Sequence, residues 1–117
     1  MKKIYYLSTC DTCKRIIKEL GLKEKDFQFQ DIKTEKITPS QLNELKDLAG
    51  SYEALFSRVS RQYKERKLAD VKLSEADYKK LILEEYTFLK RPVILFHNHI
   101  FVGNAKETVL KAKEMIN

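Results

Sequence analysis

The sequence contains few residues that break or cross-link a chain, and it has no long apolar run. Its 117 residues include three glycines, two prolines and two cysteines. The longest continuous apolar run is Val93–Phe96, whereas a helix that spans a bilayer needs about 20 such residues. These scarcities argue against a flexible linker, a disulfide-rich scaffold and a membrane protein.

The first residues also lack the pattern of an export signal. Met1-Lys2-Lys3 leads directly into a short apolar stretch and then a polar one, without the longer apolar core and the cleavage site of a signal peptide. We therefore expect a cytoplasmic protein. Its length predicts one domain, residues 1–117, because a chain of this size can bury a sufficient core.

The charge is positive and unevenly distributed. Lysine and arginine number 23 against 17 acidic residues, and the segment Arg58–Lys72 holds six basic and two acidic residues. This segment is either a solvated helix face or a surface for an anion. We expect no direct binding of nucleic acid, because no helix-turn-helix spacing is present and aromatic residues are not interleaved with the basic ones.

The apolar pattern predicts alternating strands and helices. Residues 3–7 and 27–32 are expected to be strands, and a helix between them is expected to end at Gly21. Residues 52–67 have a weaker helical pattern, and a hairpin is predicted from strands 93–96 and 100–102 with its turn at Asn98-His99. Three helix starts carry a capping residue with a partner three positions later: Thr38 with Gln41, Ser74 with Asp77, and Asn104 with Glu107.

This order of elements predicts an α/β protein with a thioredoxin-like fold. The first two strands and their helix form a parallel βαβ half, and the hairpin and last helix form the other half. Together they give a mixed four-stranded sheet, with a helical insertion at about residues 38–88 between the halves.

The segment Cys10-Asp11-Thr12-Cys13 is the sharpest chemical signal, because it lies where a predicted strand ends and a helix begins. Free N–H groups and the helix dipole stabilise a thiolate there and lower its pKa. Two cysteines at this spacing can also form a disulfide, so the segment predicts a redox site.

Two other interpretations of these cysteines stay open. Cys13 is in phase with the apolar face of the helix and could be a buried core residue. A zinc site would need His97 and His99 to converge with the cysteines. We expect no metal, and we expect both histidines on the surface of the hairpin.

Arg91-Pro92 precedes the hairpin. Proline is tolerated at the first residue of a strand. Alternatively, a cis peptide bond turns the chain beside the cysteine loop, and Arg91 then points its guanidinium at the thiolate or at a bound oxyanion.

The sequence resembles the arsenate reductase-like (ArsC/Spx) family along nearly its whole length. The resemblance rests on four segments: Cys10-Asp11-Thr12-Cys13, Leu55-Phe56-Ser57-Arg58 with Tyr63-Lys64-Glu65, Arg91-Pro92-Val93-Ile94, and Val102-Gly103. It implies a thioredoxin fold with a helical insertion and a cis Pro92. It also implies that Cys10 is a nucleophile toward an oxyanion such as arsenate, with glutathione and glutaredoxin, or thioredoxin, as reductants.

The resemblance assigns anion binding to Arg58 and Arg91. The third arginine of the family is replaced by Asn104, and Arg61, expected one turn after Arg58 on the same helix face, is the candidate substitute. Cys13 would act as the resolving thiol on a small oxyanion or thiol substrate. A Cys-x-x-Cys segment is also similar to Spx, a redox-sensing regulator that binds the α subunit of RNA polymerase, so enzyme and regulator both remain open.

Overall fold

The computed structural model describes residues 1–117 and contains a mixed four-stranded sheet. Its strands are β1 (Lys2–Tyr6), β2 (Gln28–Asp31), β3 (Val93–Phe96) and β4 (His99–Val102). The strand order is β2-β1-β3-β4, with β2 parallel to β1 and the other two pairs antiparallel. The predicted α/β, thioredoxin-like fold class is confirmed.

The chain packs as two compact units. The first, here called the α/β unit, comprises Met1–Glu35 and Arg91–Asn117, and the second, the helical unit, comprises Lys36–Lys90. The helical unit covers the segment predicted to be a helical insertion. None of its helices or those of the α/β unit combines the length and the apolar composition that crossing a bilayer requires.

In the α/β unit, helices α1 (Asp11–Leu20) and α5 (Lys106–Ile116) cover one face of the sheet. Helix α1 ends at Gly21, whose φ of 67° is left-handed, and the Leu22 N–H donates to the Ile17 carbonyl at 3.0 Å. This is the glycine-capped helix end that the sequence predicts. The core beneath the two helices consists of Ile4, Ile16, Leu20, Leu22, Phe27, Ile94, Val109 and Ala112.

The helical unit contains helices α2 (Pro39–Ala49), α3 (Arg61–Glu65) and α4 (Glu75–Glu84). Thr38 and Ser74 cap α2 and α4 through complete capping boxes, as predicted. Its core includes a cluster of buried rings, in which the Phe56 ring lies 5.1 Å from that of Phe88 and 4.9 Å from that of Tyr78.

The prediction of a helix over residues 52–67 is wrong. The segment divides into a 3-10 turn (Glu53–Leu55), an extended stretch, and the short helix α3. The extended stretch forms because Phe56 pairs with Leu89 as an isolated β-bridge, and the Ser57 N–H donates to the Phe88 carbonyl at 2.7 Å. Helical hydrogen bonds are replaced by tertiary ones, so the shared helix face expected for Arg58 and Arg61 does not exist.

The hairpin turn and the start of the last helix also differ from the predictions by one residue. Phe96 pairs with His99, so the hairpin turn is His97-Asn98, and His97 rather than Asn98 has a positive φ, 57°. Ala105, not Asn104, is the N-cap of α5, and it makes no side-chain capping bond. The capping pattern at Asn104 with Glu107 therefore predicted the helix correctly but placed its N-cap one residue too early.

Candidate active site

The end of β1 and the start of α1 place Cys10 at the N-cap of a ten-residue helix. The Cys10 N–H donates to the Leu7 carbonyl at 3.1 Å, and its own carbonyl accepts from the Lys14 N–H at 3.1 Å. These bonds close the turn between strand and helix. The half-buried side chain of Cys10 therefore lies among the N–H groups of the first helical turn, where an anion is favoured.

The surroundings of Cys10 favour its thiolate. Burial, the largest single effect, opposes ionisation, but the N–H groups of Cys13 and Thr12, the Cys13 thiol and the positive charge of Arg91 all act the other way. Together they lower the pKa of Cys10. Cys10 therefore has the property required of a nucleophilic thiol.

Cys13 has the opposite character. Its side chain is fully buried, and burial raises the pKa of its thiol to about 11, with the nearby Cys10 sulfur adding to the effect. Both cysteines are free thiols in the structure. Cys13 is thus a core residue of α1 and also the neutral hydrogen-bond donor to Cys10. The sequence left the core position and the thiol pair as alternatives, and the structure is compatible with both.

The Arg91–Pro92 peptide bond is cis, the geometry implied by the family resemblance. Pro92 leads into β3, in which Val93 pairs with Tyr5 of β1, and the Pro92 carbonyl accepts from the Gly103 N–H at 2.9 Å. The chain before β3 thereby runs beside the end of β1. The positive charge of Arg91 favours both thiolates: it contributes to the lowered pKa of Cys10 and partly offsets the effect of burial on the pKa of Cys13.

A hydrogen bond that the sequence did not predict fixes the loop before Cys10. The Ser8 hydroxyl donates to the Asp31 carboxylate at 2.5 Å, and the Ile32 N–H donates to the Tyr6 carbonyl at 3.0 Å. Because β1 and β2 are parallel, their carboxyl ends meet at one edge of the sheet. The hydrogen bond between Ser8 and Asp31 could therefore have been predicted from the parallel pairing of β1 and β2.

Arg58 and Arg61 both belong to the helical unit. Arg58 lies before α3 and forms an ion pair with Glu53 at 2.8 Å; this hydrogen bond is the main reason that the Arg58 pKa is raised. Arg61 is the exposed first residue of α3. Their predicted role in binding an anion remains a prediction.

The other candidate residues lie at the surface of the α/β unit. His97 and His99 are exposed in and beside the hairpin turn, and Asn104 is exposed after Gly103. No three His, Cys, Asp or Glu side chains are grouped so that they could hold a metal ion.

The fold and the paired thiols define the class of the protein: a member of the thioredoxin superfamily with a helical segment between the two halves of its sheet. A sequence model of the ArsC family matches residues 5–112. The chain belongs to the ArsC family. Among curated proteins, none matches it significantly.

Solved structures with the same fold agree with this assignment. Arsenate reductase from Vibrio cholerae is 20% identical with a TM-score of 0.77, over 95% of this chain and 96% of that one. An arsenate reductase (ArsC) related protein from Brucella melitensis is 23% identical with a TM-score of 0.69, over 91% of this chain and 88% of that one. At these identities the likeness establishes the thioredoxin-like ArsC fold.

Proposed function

We propose that the protein is a thiol–disulfide oxidoreductase in which Cys10 is the nucleophile and Cys13 the resolving thiol. The observation that carries the proposal is the contrast between the two cysteines. The pKa of Cys10 is lowered at a helix N-terminus, whereas that of the buried Cys13 is raised to about 11. Only one of the two is therefore ready to attack a substrate at neutral pH.

In the first step the Cys10 thiolate attacks one sulfur of a disulfide substrate. A bond forms between Cys10 Sγ and that sulfur, and the other substrate sulfur leaves as a thiolate that takes a proton from water. Arg91 stabilises the attacking thiolate, because its positive charge acts on Cys10. An oxyanion such as arsenate would instead be attacked at its central atom: a bond forms between Cys10 Sγ and that atom, and one of its oxygens is protonated and leaves as water.

The second step follows from the coupling of the two sulfurs. The Cys10 sulfur is one reason that the pKa of Cys13 is high, and its negative charge is lost once Cys10 is in a mixed disulfide. Cys13 then ionises more readily and attacks Cys10 Sγ, which forms the Cys10–Cys13 disulfide and releases the second substrate thiolate. The substrate gains two electrons, and the cysteines lose them.

The cycle closes when an external thiol reduces the internal disulfide. We infer that glutathione with glutaredoxin, or thioredoxin, supplies these two electrons, as the arsenate reductase-like family implies. A reducing compartment such as the cytoplasm suits this cycle, because it returns exposed disulfides to thiols.

The test is to trap the first intermediate. A Cys13→Ser variant incubated with glutathione disulfide is expected to accumulate a Cys10–glutathione adduct, seen by mass spectrometry of the intact and digested protein. The wild-type protein should pass on to the Cys10–Cys13 disulfide instead. A Cys10→Ser variant is the matched control and should form no adduct, because Cys13 is buried and protonated. Equal adduct formation on Cys13 in that control would refute the assigned roles.

A second candidate function is redox regulation in the manner of Spx, through binding of the RNA polymerase α subunit. This function is supported by the free thiols Cys10 and Cys13 three positions apart, because a disulfide between them would serve as a switch as well as a catalytic intermediate. Affinity capture on the purified α subunit, with and without dithiothreitol, separates the two functions. Redox-dependent capture without turnover of a disulfide substrate would favour the regulator.

A further inference from the structure

The backbone of Leu7 contacts both cysteines of the site. The Cys10 N–H donates to the Leu7 carbonyl at 3.1 Å and closes a tight turn between β1 and α1, here called the Leu7 turn (residues 7–10). Burial has the largest effect on the pKa of Cys13, and a hydrogen bond from the Leu7 N–H to its sulfur acts against it. The surroundings of both thiols therefore depend on the conformation of the Leu7 turn.

A side chain from another strand holds the Leu7 turn. Its two central residues, Ser8 and Thr9, are exposed, and Cys10 makes no side-chain capping bond to α1. The Ser8 hydroxyl donates to the Asp31 carboxylate at 2.5 Å. This hydrogen bond joins the centre of the turn to the end of β2.

The Asp31 carboxylate is itself fixed by the backbone around it. Asp31 pairs with Tyr6 at the end of the parallel strands. Its second carboxylate oxygen accepts from the Lys33 N–H at 3.2 Å, and its carbonyl accepts from the Glu35 N–H at 2.8 Å. The acceptor of the Ser8 hydroxyl is therefore anchored to the sheet and to the turn that follows it.

The charge of Asp31 and its hydrogen bond act on Cys10 in opposite directions. A negative charge disfavours a nearby thiolate. The charge of Asp31 reaches this end of β1, where burial first and Asp31 second raise the pKa of Tyr6. The hydrogen bond to Ser8, in contrast, holds the turn that brings Cys10 to the N-terminus of α1. The direction in which a mutation moves the Cys10 pKa therefore separates the two effects.

We propose that Asp31 is a positioning residue for the paired thiols. Through Ser8 it holds the Leu7 turn in the conformation that places Cys10 among the N–H groups of the first turn of α1. This inference rests on the proposed thiol–disulfide function and adds a residue to its site. Asp31 acts through Ser8 and takes no part in the sulfur chemistry.

The test is the rate of Cys10 alkylation by iodoacetamide, measured against pH in the folded full chain. Ser8→Ala should reach its half-maximal rate at a higher pH than the wild type. Its rate at pH 7 should be about threefold lower, the size of change that loss of one hydrogen bond produces in a conformational equilibrium. Ser8→Thr keeps the hydroxyl and should restore the wild-type profile.

Asp31→Ala distinguishes positioning from charge. It should also move the half-maximal rate to a higher pH, although loss of a negative charge alone would move it to a lower one. Ser8→Ala, at an exposed position, carries the test if Asp31→Ala does not fold.

Thr34→Ala is the matched control, because it removes an exposed hydroxyl that donates to the Asp31 carbonyl, at 3.3 Å, and not to the carboxylate. Its alkylation profile should equal that of the wild type. An unchanged profile in Ser8→Ala, a shift to lower pH in Asp31→Ala, or an equal shift in Thr34→Ala would overturn the inference. Failure of the thiol–disulfide proposal is recognised separately, by the absence of a Cys10 adduct in Cys13→Ser.

Discussion

The charge of Arg91 acts on both sulfurs of the site, so this residue links the cis-proline turn to the chemistry of Cys10. An Arg91→Ala variant should have a higher Cys10 pKa than the wild type, because one stabilising charge is lost. Cys10 should then be alkylated by iodoacetamide more slowly at pH 7. Arg15→Ala is the control, since Arg15 is exposed and pairs with Glu19. An equal decrease in the rate of Cys10 alkylation in both variants would show that Arg91 does not specifically stabilise the thiolate.

Cys13 makes the stability of the protein depend on pH. Its thiol has a pKa of about 11 in the folded protein and about 8.5 in an unfolded chain. The folded state therefore holds the proton more tightly, and this contribution to stability is complete below pH about 8.5 and is lost as the pH rises toward 11.

The expected loss of unfolding free energy is about 3 kcal/mol, because the two pKa values differ by about 2.5 units and one unit corresponds to about 1.4 kcal/mol. Urea unfolding at a series of pH values measures it, and a Cys13→Ala variant should lack this part of the pH dependence. The same decline in both proteins would mean that other groups cause it.

At the residue scale, the sequence pointed to Cys10 and Cys13 through their spacing at a predicted helix start, and to Arg91 through the Arg91-Pro92 pair and the family resemblance. It did not identify the bond between Ser8 and Asp31, which joins residues 23 positions apart through the parallel pairing of β1 and β2. Nor did it identify Glu53 as the partner of Arg58, because a helix was expected there in place of the extended stretch.

At the scale of single elements, the capping box of α4 allows a direct test. The Ser74 hydroxyl accepts from the Asp77 N–H at 3.2 Å, and the Ser74 N–H donates to the Asp77 carboxylate at 2.9 Å. Ser74→Ala should lower the free energy of unfolding by about 1 kcal/mol. Ser40→Ala, at an exposed position inside α2, should change it by less than about 0.5 kcal/mol. Equal effects in a urea denaturation experiment would contradict the capping role.

Elements with a strong local signal were predicted well, and those held by tertiary contacts were not. The capping residues of helices α1, α2 and α4 are recognisable from the local sequence, for example Gly21 after α1 and Thr38 before α2. Residues 52–67 were wrongly predicted as a helix because Phe56 pairs with Leu89 and the Ser57 N–H donates to the Phe88 carbonyl. These partners lie more than 30 positions away in sequence, and no local pattern predicts the pairing.

At the scale of the whole molecule, the buried core of the α/β unit is expected to contribute strongly to the free energy of unfolding. Ile16 of α1 is fully buried in this core, whereas its neighbour Ile17 is only half-buried. Ile16→Ala should lower the free energy of unfolding by about 2–5 kcal/mol, because it leaves a cavity that cannot close completely. Ile17→Ala should lower it clearly less. Thermal or urea unfolding of the two variants compares them, and an equal loss would place the core elsewhere.

The sheet topology could be predicted from the order of the elements, since a parallel βαβ half followed by a hairpin leaves few ways to join four strands. The sequence predicted a helical segment between the two halves of the sheet, but it did not predict that the chain divides into two compact units. Its boundaries at Lys36 and Lys90 depend on which residues pack together, and that information is not local in the sequence.

The rate of Cys10 alkylation by iodoacetamide, measured against pH and followed by mass spectrometry of the Cys10 peptide, tests the central claim most directly. The folded protein should reach its half-maximal rate at a lower pH than the same chain unfolded in urea, because helix amides, the Cys13 thiol and Arg91 stabilise the thiolate only in the fold. A half-maximal rate at the same or a higher pH in the folded protein would contradict an activated Cys10.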